Sequence, residues 1–164
     1  MAVLPILTWP DPRLSRRADP VTAVTPEISR LARDMLDTMY DAPGRGLAAP
    51  QVGAMLRLFV MDTTWKDGAR TPVVALNPEI HPASDELLTR EEGCLSLPGL
   101  LAEVTRPAAV TMRWSDLDGC LHEARFDGFA AACVQHETDH LNGVVTLDHL
   151  SPHARARAEA EYSA

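Results

Sequence analysis

The 164-residue sequence contains no apolar run of the roughly 18 residues needed to cross a bilayer, which excludes a transmembrane helix. It also has no cluster of lysines and arginines. With a net charge of −8, direct charge-driven binding to nucleic acid is excluded. The opening residues Met1-Ala2-Val3-Leu4-Pro5 lack a charged lead and a long apolar stretch, so no secretory signal is expected. Only three cysteines occur, an odd and small number that argues against a disulfide framework and for a reducing, cytoplasmic setting. Repeats and low-complexity linkers are missing as well. A chain of this length fits one domain, expected to span residues 1–164 and to bury about 70% of its unfolded surface.

Near the C-terminus the chain reads Gln135-His136-Glu137-Thr138-Asp139-His140-Leu141-Asn142-Gly143. Histidines at i and i+4 lie one turn apart on one helix face and can reach a single metal ion. The glutamate between them can act as a base toward water activated there. Asp127 is placed to cap such a helix and Gly143 to end it. Phe129, Cys133, His136 and His140 share helical spacing, with Ala132 beside them, so the histidines continue an apolar stripe. The first half of this segment is apolar nearly all round, which predicts a central, buried helix.

Two histidines leave a third ligand to be found. An HExxHxxGxxH site would need histidine where Thr146 stands, and a downstream glutamate could come only from Glu159 or Glu161 in a polar tail. Upstream, Glu91-Glu92-Gly93-Cys94-Leu95-Ser96-Leu97-Pro98-Gly99 offers Cys94 after a glycine that allows a tight backbone. Taken alone, Cys94 reads equally as a ligand or as a core cysteine. Cys120 and Cys133 read as buried core cysteines.

Gly44-Arg45-Gly46-Leu47-Ala48-Ala49-Pro50-Gln51, Glu92-Gly93-Cys94-Leu95-Ser96 and Gln135-His136-Glu137-Thr138-Asp139-His140 together resemble the three signature motifs of the peptide deformylases. Their order and spacing are similar to the family's, and the likeness runs from Pro10-Asp11-Pro12 to Leu147-Asp148-His149-Leu150-Ser151. The resemblance implies removal of the formyl group from nascent N-formylated polypeptides, with release of formate. It implies one divalent metal, ferrous iron in the cell, with zinc or nickel acceptable in purified protein. By the same resemblance the metal ligands are Cys94, His136 and His140, and the catalytic glutamate is Glu137. The oxyanion donors are the Gln51 side chain and the Leu95 N–H. The Gly44-Arg45-Gly46 stretch is expected to bind substrate, its glycines letting an extended peptide approach a strand edge.

Two departures stand out. Arg45 occupies a place that is aliphatic in many members of the family, and a guanidinium changes the polarity of that wall. The tail after Ser151 is short, with His153, Arg155 and Arg157 offset by Glu159 and Glu161, and gives weak support for docking on the ribosome. A monomer is expected. The competing classes are a non-catalytic relative that only binds metal or peptide, and an enzyme for another N-formyl amine. Intact Cys94, Gln51 and Glu137 argue for catalysis.

Thr25 and Pro26 fit the N-cap and first turn of an amphipathic helix to about residue 41, with Met35 and Met39 in its core stripe. Pro43 to Gly46 break it. Leu56 to Met61 and Pro72 to Leu76 read as strands. Val110, Met112 and Trp114 alternate with polar residues, Asp118-Gly119 turns the chain, and Cys120 to Phe126 run back. Ser151 and Pro152 open a short last helix. Strands grouped between helices, with 13 prolines, predict an α+β fold of antiparallel sheets around the central metal-binding helix. Glu92 and Arg106 are candidates for a buried pair fixing the Cys94 segment, and Asp139 for orienting a basic group. His81, His122, His149 and His153 read as surface or ordinary hydrogen-bonding residues.

Overall fold

Thr25 caps the first helix, α1 (Pro26–Asp41), by accepting from the Ile28 N–H at 3.3 Å, and Pro26 supplies a preset first turn. Its stripe buries Ala32, Met35 and Met39 completely. Gly44 N–H then closes onto the Met39 carbonyl at 2.8 Å and directs the chain into a strand. The computed structural model describes residues 2–163, so both ends of the expected 1–164 span lie outside it.

Five antiparallel strands form the main sheet in the order β1-β2-β3-β6-β7. They are β1 (Gly46–Ala48), β2 (Leu58–Met61), β3 (Val73–Pro82), β6 (Ala109–Ser115) and β7 (Leu121–Asp127). Strand β2 is buried at every position because both sheet faces are covered. Leu58 and Val60 pack with Leu47, Met35 and Met39 on the α1 side. Phe59 and Met61 pack with Met112, Trp114, Ala131, Cys133 and Val134 on the other, where α2 (Gly128–Leu141) lies. This is period-two alternation split between two cores. A register shift between Leu76 and Glu79 bends β3. Asn77 sits there with φ 50°, its amide bonding both the N–H and the carbonyl of Val21 at 2.8 Å.

Strands β4 (Leu87–Cys94) and β5 (Leu97–Pro107) form a separate antiparallel hairpin. Leu97 and Leu100 of β5 pack with Leu14, Val145 and Leu147, and Tyr162 of α3 (Pro152–Ser163) joins them. Arg106 of β5 and Glu92 of β4 reach α2, so that helix is enclosed by the sheet and the hairpin. The fold is α+β with antiparallel sheets about a central helix, as the sequence predicts. No helix among the described residues is long and apolar enough to cross a membrane.

Several local expectations change. Cys120 is exposed in the β6–β7 turn rather than buried, because Gly119 and Cys120 lie beyond the sheet. Phe129 is 46% exposed, since the first turn of α2 projects past the sheet. Asp127 stands at the α2 N-cap but makes no side-chain capping bond. Gly143 does end α2, with φ +74° and its Cα pressed against the Ser15 backbone, where a Cβ would come within 2.8 Å.

Candidate metal centre

Helix α2 presents His136, Glu137 and His140 toward the β4–β5 hairpin. All three are buried, with His140 at 1% exposure and Glu137 at 4%. Cys94 ends β4 at a register shift between Gly93 and Cys94, and this bulge turns its side chain toward α2. Cys94 Sγ lies 3.4 Å from His140 Nε2, and the two histidine Nε2 atoms are 3.2 Å apart. The three ligand atoms lie within 4.8 Å of one another.

This triangle fits a cation. A tetrahedral ion with bonds of about 2.0–2.3 Å separates its ligand atoms by about 3.3–3.5 Å. His136 Nδ1 bonds Glu92 Oε1 at 3.0 Å, which leaves its Nε2 lone pair for the centre. Glu137 Oε1 and His140 Nδ1 are buried with no hydrogen-bond partner among the described residues. A centre surrounded by lone pairs and an unsatisfied carboxylate is stabilised by positive charge.

Protonation follows from the same crowding. Burial pushes the Cys94 thiol up, but His140 and His136 outweigh it and hold the group well below the usual thiol range. Burial opposes charge on His136, while Glu137, Cys94 and Glu92 push it well up, so a metal binding at Nε2 would displace a proton there. Glu137 is raised by burial, partly offset by His136 and His140. Cys133, buried beside Glu137, is pushed well up and stays a thiol.

Gln51 reaches the centre from a 3-10 turn (Ala49–Val52) that follows β1. Its Oε1 accepts from Ala48 N–H at 2.9 Å, so its Nε2 must face the other way. That nitrogen donates to Ser96 Oγ at 3.0 Å and lies 3.7 Å from Cys94 Sγ. Leu95 occupies the two-residue link between β4 and β5, beside Cys94. The N-terminal segment braces both: Leu7 N–H bonds the Gln51 carbonyl at 2.7 Å, and Trp9 N–H bonds the Ser96 carbonyl at 2.8 Å.

Behind the centre runs a chain of charge. Arg106 grips Glu92 with two bonds of 2.7 and 2.9 Å, and also donates to Asp139 Oδ2 at 2.9 Å. Asp139 further bonds His149 Nε2 at 2.8 Å. The expected Glu92–Arg106 pair is therefore present, and Asp139 does hold basic groups. Glu92 is drawn down to about 2, because Arg106 and His136 overcome its burial.

A cleft of about 900 Å³ opens over the centre. Gly44, Arg45 and Gly46 line one side, Glu91 to Leu95 another, and Phe129 and Leu101 the rim. The glycines have a reason inside the protein. A Cβ on Gly46 would sit 2.5 Å from Glu137 Oε2, and one on Gly44 2.8 Å from Leu95 Cδ1. Arg45 places its guanidinium 5.1 Å from the Phe129 ring centroid. Eight of the nine sequence-selected residues line this cleft, and the ninth, His140, lies behind it with its Nε2 against Cys94 and His136. Sequence reasoning missed Ser96, the Leu7–Trp9 brace and Trp65, whose Nε1 donates to the Gly44 carbonyl at 2.9 Å. Ser96 lay inside a quoted motif and could have been found. Trp65 lies in an aperiodic loop that gives no such signal.

An HExxH helix, a cysteine from a neighbouring strand and a buried free carboxylate, carried on an α+β scaffold, define the metallohydrolase class. The sequence profile described as Polypeptide deformylase matches residues 3–156. A protein named peptide deformylase from Afipia carboxidovorans is 48% identical over 163 residues, covering 99% of this chain and 95% of that one. Another so named, from Rhodopseudomonas palustris, is 51% identical over 158 residues, covering 95% and 90%. The crystal structure of a peptide deformylase from Legionella pneumophila superposes with a TM-score of 0.92 at 42% identity, covering 99% and 94%. That of the Ehrlichia chaffeensis enzyme in complex with actinonin gives 0.92 at 38%, covering 98% and 96%. The chain belongs to the polypeptide deformylase family.

Proposed function

We propose that this protein removes the N-terminal formyl group from nascent polypeptides and releases formate. The observation that carries this is the meeting of Cys94, His136 and His140 with the unpartnered Glu137 Oε1 and the oriented Gln51 Nε2 in one cleft. Cys94, His136 and His140 would hold one divalent metal, ferrous iron in the cell, and the thiolate–imidazole set also accepts zinc or nickel. When bound, the metal would supply Lewis-acid activation of water and of the formyl carbonyl.

The protein residues carry the remaining work. Glu137 Oε1 takes a proton from the attacking water as its oxygen bonds to the formyl carbon. Gln51 Nε2 and the Leu95 N–H donate to the formyl oxygen as it gains charge. Removing one such donor typically costs ~3–4 kcal/mol of the barrier. Glu137 then delivers the proton to the departing nitrogen as the carbon–nitrogen bond breaks, leaving formate and a free amine. Strand β1 ends the main sheet, so Gly46 lies on an unpaired edge where an extended peptide can align. The nascent chain is the partner this site needs. On α3, Arg155 is tied to Asp148 and Glu159, which leaves Arg157 as the one arginine of that helix without an ion pair among the described residues and gives weak support for any ribosome contact.

The test is formate release from formyl-Met peptides by protein prepared without oxygen and loaded with ferrous iron or nickel. Turnover is expected, and Glu137→Gln should keep its metal while losing at least a hundredfold in kcat. Metal-loaded wild-type protein that releases no formate would refute the proposal.

A further inference from the structure

The cleft carries positive charge that the protein itself does not neutralise. Arg45 and Arg90 both line it, and neither forms an ion pair among the described residues. Arg45 Nε is buried without a hydrogen-bond acceptor among the described residues, which is unfavourable for a guanidinium unless a ligand supplies one. In a chain of net charge −8, two unpaired cations on one cleft are a local exception. The cleft's carboxylates do not cancel them. Glu92 is held by Arg106 and His136, Glu137 lies at the base against Gly46, and Glu91, although it lines the cleft, forms no ion pair with Arg45 or Arg90 among the described residues.

We propose that Arg45, seated on Phe129 at the cleft mouth and seconded by Arg90, is a subsite for a carboxylate side chain at the second or third residue of the formylated peptide. This rests on the deformylase reading above. The position follows from distance. Phe129 precedes Glu137 by eight positions on α2 (137 − 129), about 12 Å along the helix axis. An extended peptide with its formyl carbon at Glu137 advances about 3.3 Å per residue. Side chains of the second and third residues therefore come within reach of the guanidinium. Phe129 covers that guanidinium from one side at 5.1 Å, and a planar guanidinium is suited to a bidentate carboxylate.

The experiment uses metal-loaded enzyme and formyl-Met tetrapeptides with Asp, Ala or Lys at the second or third residue. Formate release gives kcat/KM. Calorimetry with the matching unformylated product peptides gives Kd without turnover. Asp peptides should exceed Lys peptides by about fivefold or more at low salt, and the ratio should shrink as salt is added. In Arg45→Met, whose flexible stem can still pack on Phe129, the ratio should fall toward one. In Arg45→Lys, which keeps the charge, it should persist in part. A ratio near one in the wild type overturns the subsite, as does a ratio that Arg45→Met leaves unchanged. If formate is released but charge does not rank the peptides, the subsite alone fails. If product peptides rank by charge but no formate is released, the deformylase reading fails and the subsite stands.

Discussion

Glu92 Oε1 bonds His136 Nδ1 at 3.0 Å while Arg106 binds both Glu92 oxygens. Strand β4 is thereby linked to α2 through the same imidazole that faces the candidate metal. Glu92→Gln should act on both. It leaves Arg106, which is 7% exposed, with Asp139 as its remaining charged partner. Loss of one member of a buried pair costs about 3–5 kcal/mol, and Asp139 should keep the effect near the lower end. Freed from its carboxylate, His136 should bind metal about 10–100-fold more weakly. Urea unfolding and metal titration read the two effects separately.

Gly46 and Gly44 should respond differently to alanine. At Gly46 the new methyl would meet the Glu137 carboxylate at 2.5 Å, and Cys133 Sγ at 3.1 Å blocks retreat. At Gly44 it would meet only the end of the Leu95 side chain, which can turn aside. Displacing a reacting group by about 1 Å costs roughly a hundredfold in rate. Gly46→Ala should therefore lose about that much kcat while retaining metal, and Gly44→Ala much less. Equal losses in the two variants would remove the Gly46–Glu137 contact as the cause.

What the sequence made legible follows from where burial and pattern agree. The stripe of α1 and the β6–β7 alternation each express one period, the apolar run of α2 matches its burial from Ala131 onward, and each element lies where the pattern puts it. Strands β4 and β5 were hidden for a physical reason. The inward positions of β4 are Leu88, Arg90, Glu92 and Cys94, so charge and chemistry occupy the face where a strand normally shows hydrophobic residues. In β5 the pattern Leu100, Ala102, Val104, Arg106 is present, but Pro98 and Gly99 obscure its start. The site residues were visible because they cluster in three short motifs. The supports were not, since Trp65, Leu7 and Trp9 act through single bonds to distant backbone groups.

Cys94→Ser tests the thiolate. A hydroxyl is harder and far less acidic than a thiol, so it stays protonated where Cys94 ionises. Metal retained after dialysis should drop at least tenfold in affinity, while the fold persists, because Leu97 and Leu100 still anchor the hairpin against Leu14 and Leu147. Unchanged metal content would return Cys94 to an ordinary core role.

Asp62 gives the chain an acid-sensitive support for the cleft edge. Its carboxylate is 1% exposed and accepts from Tyr40 Oη at 2.6 Å, Thr71 N–H at 2.8 Å and Thr64 N–H at 3.3 Å. The same loop holds the substrate wall, since Asp62 N–H bonds the Arg45 carbonyl at 2.9 Å and Trp65 Nε1 bonds that of Gly44 at 2.9 Å. Burial would raise the carboxyl, but the Tyr40 hydroxyl and the backbone N–H groups outweigh it and hold it below its ordinary value of 3.8. An acid depressed in the folded state binds fewer protons there than in the unfolded chain. Its stabilisation is therefore complete above the ordinary value and is lost as pH falls through the folded one. Asp62→Asn keeps the shape and one acceptor but removes the charge. It should cost about 1–3 kcal/mol at neutral pH. The gap from the wild type should narrow as pH falls from about 5 toward 3, because protonation brings the wild type to the same neutral state. Urea midpoints of the two proteins across that range provide the measurement. A constant offset at every pH would show that the Asp62 charge is not what steadies the loop.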